Sequence, residues 1–439
     1  MSKRNFILLV IVLIVAGILI YVFFAPQQGQ NTPGYGTEGT NFLSRFNPFG
    51  KSKVVTPPAP TPVDISGDNQ NPDNQIPAVV EKLKKISSMP IAGFEILKKE
   101  RLLEIAPNQA IPEVKNTKKP TPPTTELVEA TRYVDRAVGN IYQTFLDKIE
   151  ERKFSTTTIP KIYEAMFGNK NSSVVMRYLK SDNTTIETFL GKIPKEVLGA
   201  DTDTNEIKGS FLSDNITDFS ISPEGTKMFY LVNVGDIAVG TVLNLIDNKK
   251  TQIFDSPFTE WLTSWPNTNM ITLTTKPSYA VTGYTYTLNP NTKAFTRILS
   301  DIYGLTTLTS PNGKSILYGD SSLTLNIFDT TKKTSTPIAL RTLPEKCTWG
   351  SASDVLYCAV PTQINPGQYP DSWYQGEISF NDQIWKVNIL TGNTTILADP
   401  TTIATRESID GTKLIVSPSE KYLLFVNKKD SFLWELELN

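Results

Sequence analysis

The stretch Ile221-Ser222-Pro223-Glu224-Gly225-Thr226-Lys227-Met228-Phe229-Tyr230 decides the fold. It reads as the end of one strand, a four-residue turn and the start of an apolar strand. Proline suits the second position of a type I turn because its ring presets φ, and glycine suits a position where φ is positive. The same order returns at Thr309-Ser310-Pro311-Asn312-Gly313-Lys314-Ser315-Ile316-Leu317-Tyr318. It returns again at Val416-Ser417-Pro418-Ser419-Glu420-Lys421-Tyr422-Leu423-Leu424-Phe425. Weaker copies at 263–273 and 348–357 fill the gaps. The spacing is about 40 residues, the mark of a repeat architecture.

Each unit also supplies a third and a fourth strand. Examples are 284–288 with 295–299, and 384–389 with 394–397. Their joins, Asn289-Pro290-Asn291-Thr292 and Leu390-Thr391-Gly392-Asn393, are hairpin-like. Four strands per unit, repeated, predict an all-β chain folded as a β-propeller, each sheet packing face to face with its neighbours. Five clear units run from about residue 209 to the end, and 133–156 and 162–190 are two degenerate ones. Seven four-stranded blades are therefore expected, with six or eight left open. The last unit holds only three strands after its turn region. An early strand at 92–97 is expected to complete it, because closure removes sheet edges that invite aggregation.

The turns Ser222-Pro223-Glu224-Gly225, Ser310-Pro311-Asn312-Gly313 and Ser417-Pro418-Ser419-Glu420, each followed by an apolar strand, resemble the repeats of TolB-like propellers, relatives of the WD-repeat class. The resemblance covers roughly residues 126–439. The chain has neither the Gly-His nor the Trp-Asp dipeptide of WD repeats proper. TolB-like repeats usually carry Asp where Glu224, Asn312 and Ser419 stand here. The resemblance implies extracytoplasmic binding or scaffolding and supplies no catalytic residues to carry over.

Composition narrows the chemistry. The 439 residues are 39% hydrophobic and carry a net charge of −1. Phosphate backbones call for a basic surface, so no nucleic-acid partner is expected. There is no histidine, which removes Ser-His-Asp and Cys-His catalysis and histidine metal sites. Carboxylate pairs, lysine and tyrosine chemistry remain. No cofactor or metal is expected. Asp201-Thr202-Asp203-Thr204-Asn205 starts like a calcium loop, but Glu206 and Leu212 break the pattern, which favours a polar connection.

The two cysteines, Cys347 and Cys358, are too few for a structural zinc site. They are either two buried thiols or a disulfide. The segment Ser351-Ala352-Ser353-Asp354 reads as a hairpin turn, and each cysteine stands four residues from its nearer end. The pair then sits directly opposite on neighbouring strands, with Cβ atoms about 4.5–5.5 Å apart. That is close to disulfide geometry, and the bridge is predicted, given an oxidising compartment.

Residues 6–24, FILLVIVLIVAGILIYVFF, form an uncharged run of about 19 residues, long enough to cross a membrane as one helix. Lys3 and Arg4 precede it in a short tip, 1–5, so the N-terminus is expected in the cytoplasm and the remainder outside. A cleavable signal peptide is the competing reading. Phe23-Phe24-Ala25-Pro26 is a poor cleavage site, which favours an uncleaved anchor. Residues 25–75 are rich in Pro, Gly and Thr and are expected to be a disordered stalk. The segment 76–125 is expected to hold a short helix, the closing strand and a Pro-rich insertion at 107–123, before a propeller at 126–439. Ile76, Val79, Val80, Leu83 and Ile86 space as one helix face, with Lys82, Lys84 and Lys85 solvated.

Two insertions fall on the face shared by second-to-third-strand loops and blade-to-blade connections. Residues 276–283 carry Tyr279, and 361–381 carry Tyr369, Asp371, Trp373 and Tyr374. Long loops on a rigid scaffold are where binding resides, and Tyr and Trp are typical anchors for proteins or sugars. The alternative is that these aromatics fold back and plug the loop onto the ring. The expected function is a non-catalytic, membrane-anchored extracytoplasmic module that binds or scaffolds a protein or an envelope polysaccharide. The rival is a propeller-type carbohydrate-active enzyme using acidic residues. Against it, the sialidase-type repeat Ser-x-Asp-x-Gly-x-x-Trp is absent.

Overall fold

A computed structural model describes residues 82–103, 124–198, 205–402 and 407–438. The apolar run 6–24, the stalk 25–75, the Pro-rich 107–123 and Asp201 to Thr204 lie outside the described residues. Among the described residues no helix is long and apolar enough to cross a membrane.

The chain forms seven four-stranded antiparallel sheets, the blades of a propeller. Blade 1 consists of Ile91–Leu102, Thr125–Asp135, Ile141–Phe145 and Arg152–Lys153. Blades 2 to 6 open with Ile162–Gly168, Ile216–Ile221, Trp261–Asn267, Thr306–Thr309 and Cys347–Trp349. Each then runs through three further strands in sequence order. Blade 7 takes Gly411–Val416, Tyr422–Asn427 and Leu433–Glu437 from the C-terminal end and Leu83–Lys85 from the N-terminal end.

Burial follows position in the blade. Second strands are covered by neighbouring blades on both faces and read as continuous apolar runs, as Met228-Phe229-Tyr230-Leu231 and Leu356 to Val360 do. Fourth strands are wet: in Lys250–Ser256 only Ile253, Phe254 and Ser256 are buried. The apolar clusters accordingly lie between blades, as where Phe229, Leu231 and Ile253 meet Trp261, Trp265 and Ile271.

The Ser-Pro turns share one set of hydrogen bonds. Ser222 N–H donates to Lys227 O at 2.8 Å, Gly225 N–H to Ser222 O at 2.7 Å, and Lys227 N–H to Ser222 Oγ at 3.1 Å. Ser310 with Ser315, and Ser417 with Tyr422, repeat it. The serine hydroxyl thus satisfies a backbone donor that the tight turn leaves free. The fourth position is left-handed, φ +71° at Gly225 and +70° at Gly313, and Glu420 takes it at +54°. A β-carbon there costs energy, which explains glycine in two of the three copies.

The ring closes through its N-terminal strand. Leu83, Lys84 and Lys85 pair with Leu436, Glu435 and Trp434. Leu83 is 2% exposed and Ile86 3%. This corrects two expectations. Residues 83–85 form a strand rather than part of a helix; Leu83 and Ile86 are buried in blade interfaces, which fits either periodicity over so short a run. The strand expected at 92–97 exists, but it lies within the first strand of blade 1 and does not close blade 7. Lys85 is also not merely solvated: it pairs with Glu407 at 3.0 Å and lies over the Phe432 and Trp434 rings.

Candidate functional site

Antiparallel connectivity gives the ring two faces. First-to-second and third-to-fourth turns lie on one, the turn face. Second-to-third loops and blade-to-blade connections lie on the other, the loop face. The 362–381 insertion of blade 6 is on the loop face and carries the short helix Asp371–Tyr374.

That insertion folds back on the ring. Tyr369, Trp373 and Phe380 join Leu323 and Leu343 in one buried cluster between blades 5 and 6. Tyr369 stacks on Phe380 at 5.7 Å, and its hydroxyl donates to Asn365 O at 2.6 Å. Trp373 Nε1 donates to both carboxylate oxygens of Asp410 at 3.1 Å, and Lys428 Nζ donates to Trp373 O at 2.7 Å. Of the expected contact residues, Tyr369 and Trp373 are 4% and 3% exposed and are committed to packing. Tyr279 and Tyr374 are 42% and 39% exposed. Tyr279 N–H donates to Asp371 Oδ2, so the structure brings the blade 4 loop against the blade 6 insertion. The Tyr374 hydroxyl donates to Glu345, whose carboxyl burial pushes upward.

Beneath the insertion lies a charged cluster with no solvent contact. Lys346 Nζ donates to Asp382 Oδ2 at 2.7 Å, to Asp410 Oδ1 and to Gly411 O at 3.0 Å. All three ionisable side chains are 0% exposed. Asp410 also accepts from Ser379 Oγ and Phe380 N–H, both at 3.0 Å. Asp382 Oδ2 accepts from Gly411 N–H at 2.7 Å, and Asp382 Oδ1 has no partner. Burial raises Asp382 to about 6 despite the nearby lysine. Burial also opposes the Asp410 charge, but Lys346 and the donors around it hold that carboxyl below its usual value. Nothing in the sequence signalled this cluster, since its members lie 28 to 64 residues apart in pairs no periodicity links.

Sequence reading also missed the exposed apolar residues of the loop face. Val234, Ile237, Phe258, Val281 and Tyr303 are each more than 40% exposed and sit on loop-face turns of blades 3 and 4. Gly304 N–H donates to Ser278 O at 3.1 Å, which sets Tyr303 beside the Tyr279 loop. Lys276 and Glu260, 2.9 Å apart, link that loop to the connection carrying Phe258. These residues sit at strand ends and in connections, and only the ring places those ends on one face.

A second feature is the central channel, a cavity of about 380 Å³ lined by first strands of blades 1, 2, 3, 4 and 7. Burial raises Glu95, which lines it, to about 7, and does the same for Asp218, the neighbour of the lining residue Phe219. Lys413 reaches into the channel, where water meets it, and donates to Ala92 O at 3.1 Å. Glu164 is paired with Arg177 at 2.7 Å. Among the described residues no group of three His, Cys, Asp or Glu is placed to hold a metal ion. Cys347 and Cys358 lie opposite in the blade 6 ladder and are joined by a disulfide.

No protein-family description matches the chain, and no curated protein matches it. Solved structures match its shape. An oligogalacturonate lyase in complex with manganese is 10% identical, with 71% of this chain and 85% of that chain covered and a TM-score of 0.43. An oligogalacturonate lyase from Vibrio parahaemolyticus is 8% identical, with 79% and 98% covered and a TM-score of 0.42. TolB from Acinetobacter baumannii is 11% identical, with 71% and 77% covered and a TM-score of 0.40. Likeness at this level carries nothing about chemistry.

Proposed function

We propose that the protein is a binding or scaffolding module tethered at an extracytoplasmic membrane surface, and that its loop face meets a protein or envelope polymer. One observation carries this: large apolar side chains are exposed together there, with Phe258 at 59%, Val281 at 59%, Tyr303 at 55% and Tyr279 at 42%. Leaving such groups in water costs free energy that a partner would recover, and tyrosine supplies area with little entropy to lose. The insertion, pinned by Asp410 and Lys428, makes the adjoining surface rigid, which lowers the cost of binding.

An N-terminal tether would fit the same reading. Residues 6–24 would anchor the chain, and 25–75 would act as a spacer. The chain enters blade 7 at Leu83 from the turn face, since that strand runs antiparallel to Leu433–Glu437. The Cys347–Cys358 bridge fits an oxidising compartment.

A second reading, a carbohydrate-active enzyme, is favoured by Glu95, a carboxyl held near neutrality in the channel lining. One experiment separates the two. Photo-crosslinking side chains are placed at Tyr279 and Tyr303, and at Leu390 on the turn face, in cells expressing the full chain. Capture of one partner from the first two sites and not from Leu390 is expected, with Tyr279→Ala plus Tyr303→Ala abolishing it at unchanged melting temperature. Equal capture from all three sites, or turnover in a glycan-cleavage screen that Glu95→Gln abolishes, would sink the binding reading.

A further inference from the structure

The cluster under the blade 6 insertion has more order than an ion pair needs. All three protons of the Lys346 ammonium are directed, to Asp382, Asp410 and Gly411 O. The two carboxyls are not equivalent. Both Asp410 oxygens are held, by Lys346, Trp373, Ser379 and the Phe380 N–H. Asp382 is held through Oδ2 alone, and Oδ1 is a buried oxygen with no partner. The aromatic rings of Trp373 and Phe380 each stand 5.3 Å from Lys346 Nζ.

We infer that Lys346 and Asp382 condense to an intramolecular amide, joining blade 6's entry to its own third strand, with Asp410 as the proton carrier. The ingredients are those that amide formation between side chains requires. The nucleophile is held in contact with the acid, so the step is intramolecular, and the burial of all three side chains shields the product from bulk water. Asp382 keeps its proton to higher pH than an ordinary aspartate, so it is available as the neutral acid. Asp410 stays ionised and can take a proton. In the step, Asp410 accepts one proton from the Lys346 ammonium. The freed Nζ lone pair attacks Asp382 Cγ. The unheld oxygen Oδ1 leaves as water, taking its own proton and one more from Nζ. Oδ2 remains as the amide oxygen and keeps the Gly411 N–H. The products are an amide N–H facing a neutral Asp410 and one water; charge is zero before and after. Two buried charges disappear, which removes their desolvation penalty.

Mass spectrometry of the full chain tests this without any variant. After reduction of Cys347–Cys358, the intact mass is expected to be lower than the sequence mass by one water. In a tryptic digest, cleavage after Lys346 is expected to be absent, and peptide 342–386 to be one water lighter with no backbone fragments between 346 and 382. A full sequence mass with free cleavage after Lys346 would overturn the inference. Asp410→Asn is expected to restore the sequence mass while near-ultraviolet circular dichroism shows a folded ring. A folded Asp410→Asn chain that is still one water lighter would remove Asp410 from the step.

Discussion

The turn face and the loop face of this ring are held by different chemistry. On the turn face, neighbouring blades are stitched by short neutral or exposed contacts that recur around the ring. Asn267 Nδ2 donates to Pro311 O at 3.2 Å, Asn312 N–H to Ser353 Oγ at 3.3 Å, Ser351 N–H to Glu420 at 2.8 Å and Ser419 N–H to Glu129 at 2.9 Å. On the loop face, blades 5, 6 and 7 meet through one insertion over one buried charged cluster. Fragility follows from that difference. Repeated contacts share the load, so each is worth little. A buried charge cannot be shared, so losing one partner strands the others.

The largest effect is therefore expected on the loop face. Lys346→Met removes the nitrogen that Asp382 and Asp410 both face, whether as ammonium or as amide, strands two buried carboxyls, and is expected to cost about 3–5 kcal/mol, read from urea unfolding. A loss below about 1 kcal/mol would erase the distinction between the faces.

Between the faces, the closing seam offers a pH test. Glu435 is 0% exposed, and burial raises its carboxyl to about 7, with Lys84 3.8 Å away only partly offsetting this. The folded protein then holds that proton to higher pH than the unfolded chain does. Stability from this group is fully present below about 4.5, falls as pH rises, and levels off above about 7. Glu435→Gln is expected to flatten that fall and to stabilise the ring above pH 7 by at most roughly 3 kcal/mol. An unchanged melting temperature there would count against it.

The smallest effect belongs to the turn face. Ser310→Ala removes a hydroxyl that accepts from Ser315 N–H at 3.0 Å and is expected to cost about 1 kcal/mol. Were it to cost as much as Lys346→Met, the turns would not be redundant.

The turn face was also the legible one. Its Ser-Pro turns recur because a tight turn needs a preset φ, a left-handed fourth residue and a local hydroxyl, all chosen within about six residues. The positions usually aspartate in TolB-like repeats are Glu224, Asn312 and Ser419 here, and each still bonds a neighbouring blade or its own turn. The closing strand was misassigned because Leu83 and Ile86 alone cannot separate a strand from a helix. Tyr369 and Trp373 were picked as aromatics on a long loop, yet composition cannot tell an outward anchor from an inward plug. The plug depends on Asp410 and Lys428, residues of another blade.

Local backbone chemistry was enough to set the repeat, the strand-turn-strand unit and the pairing register of Cys347 with Cys358, and counting pointed to seven blades while leaving six or eight open. Tertiary structure alone decided which strand closes the ring, which aromatics face water, and that Lys346, Asp382 and Asp410 meet. Those outcomes depend on which distant segments become neighbours when seven sheets pack into a circle, and burial, which sets the charge and the reactivity of a side chain, is a property of that packing.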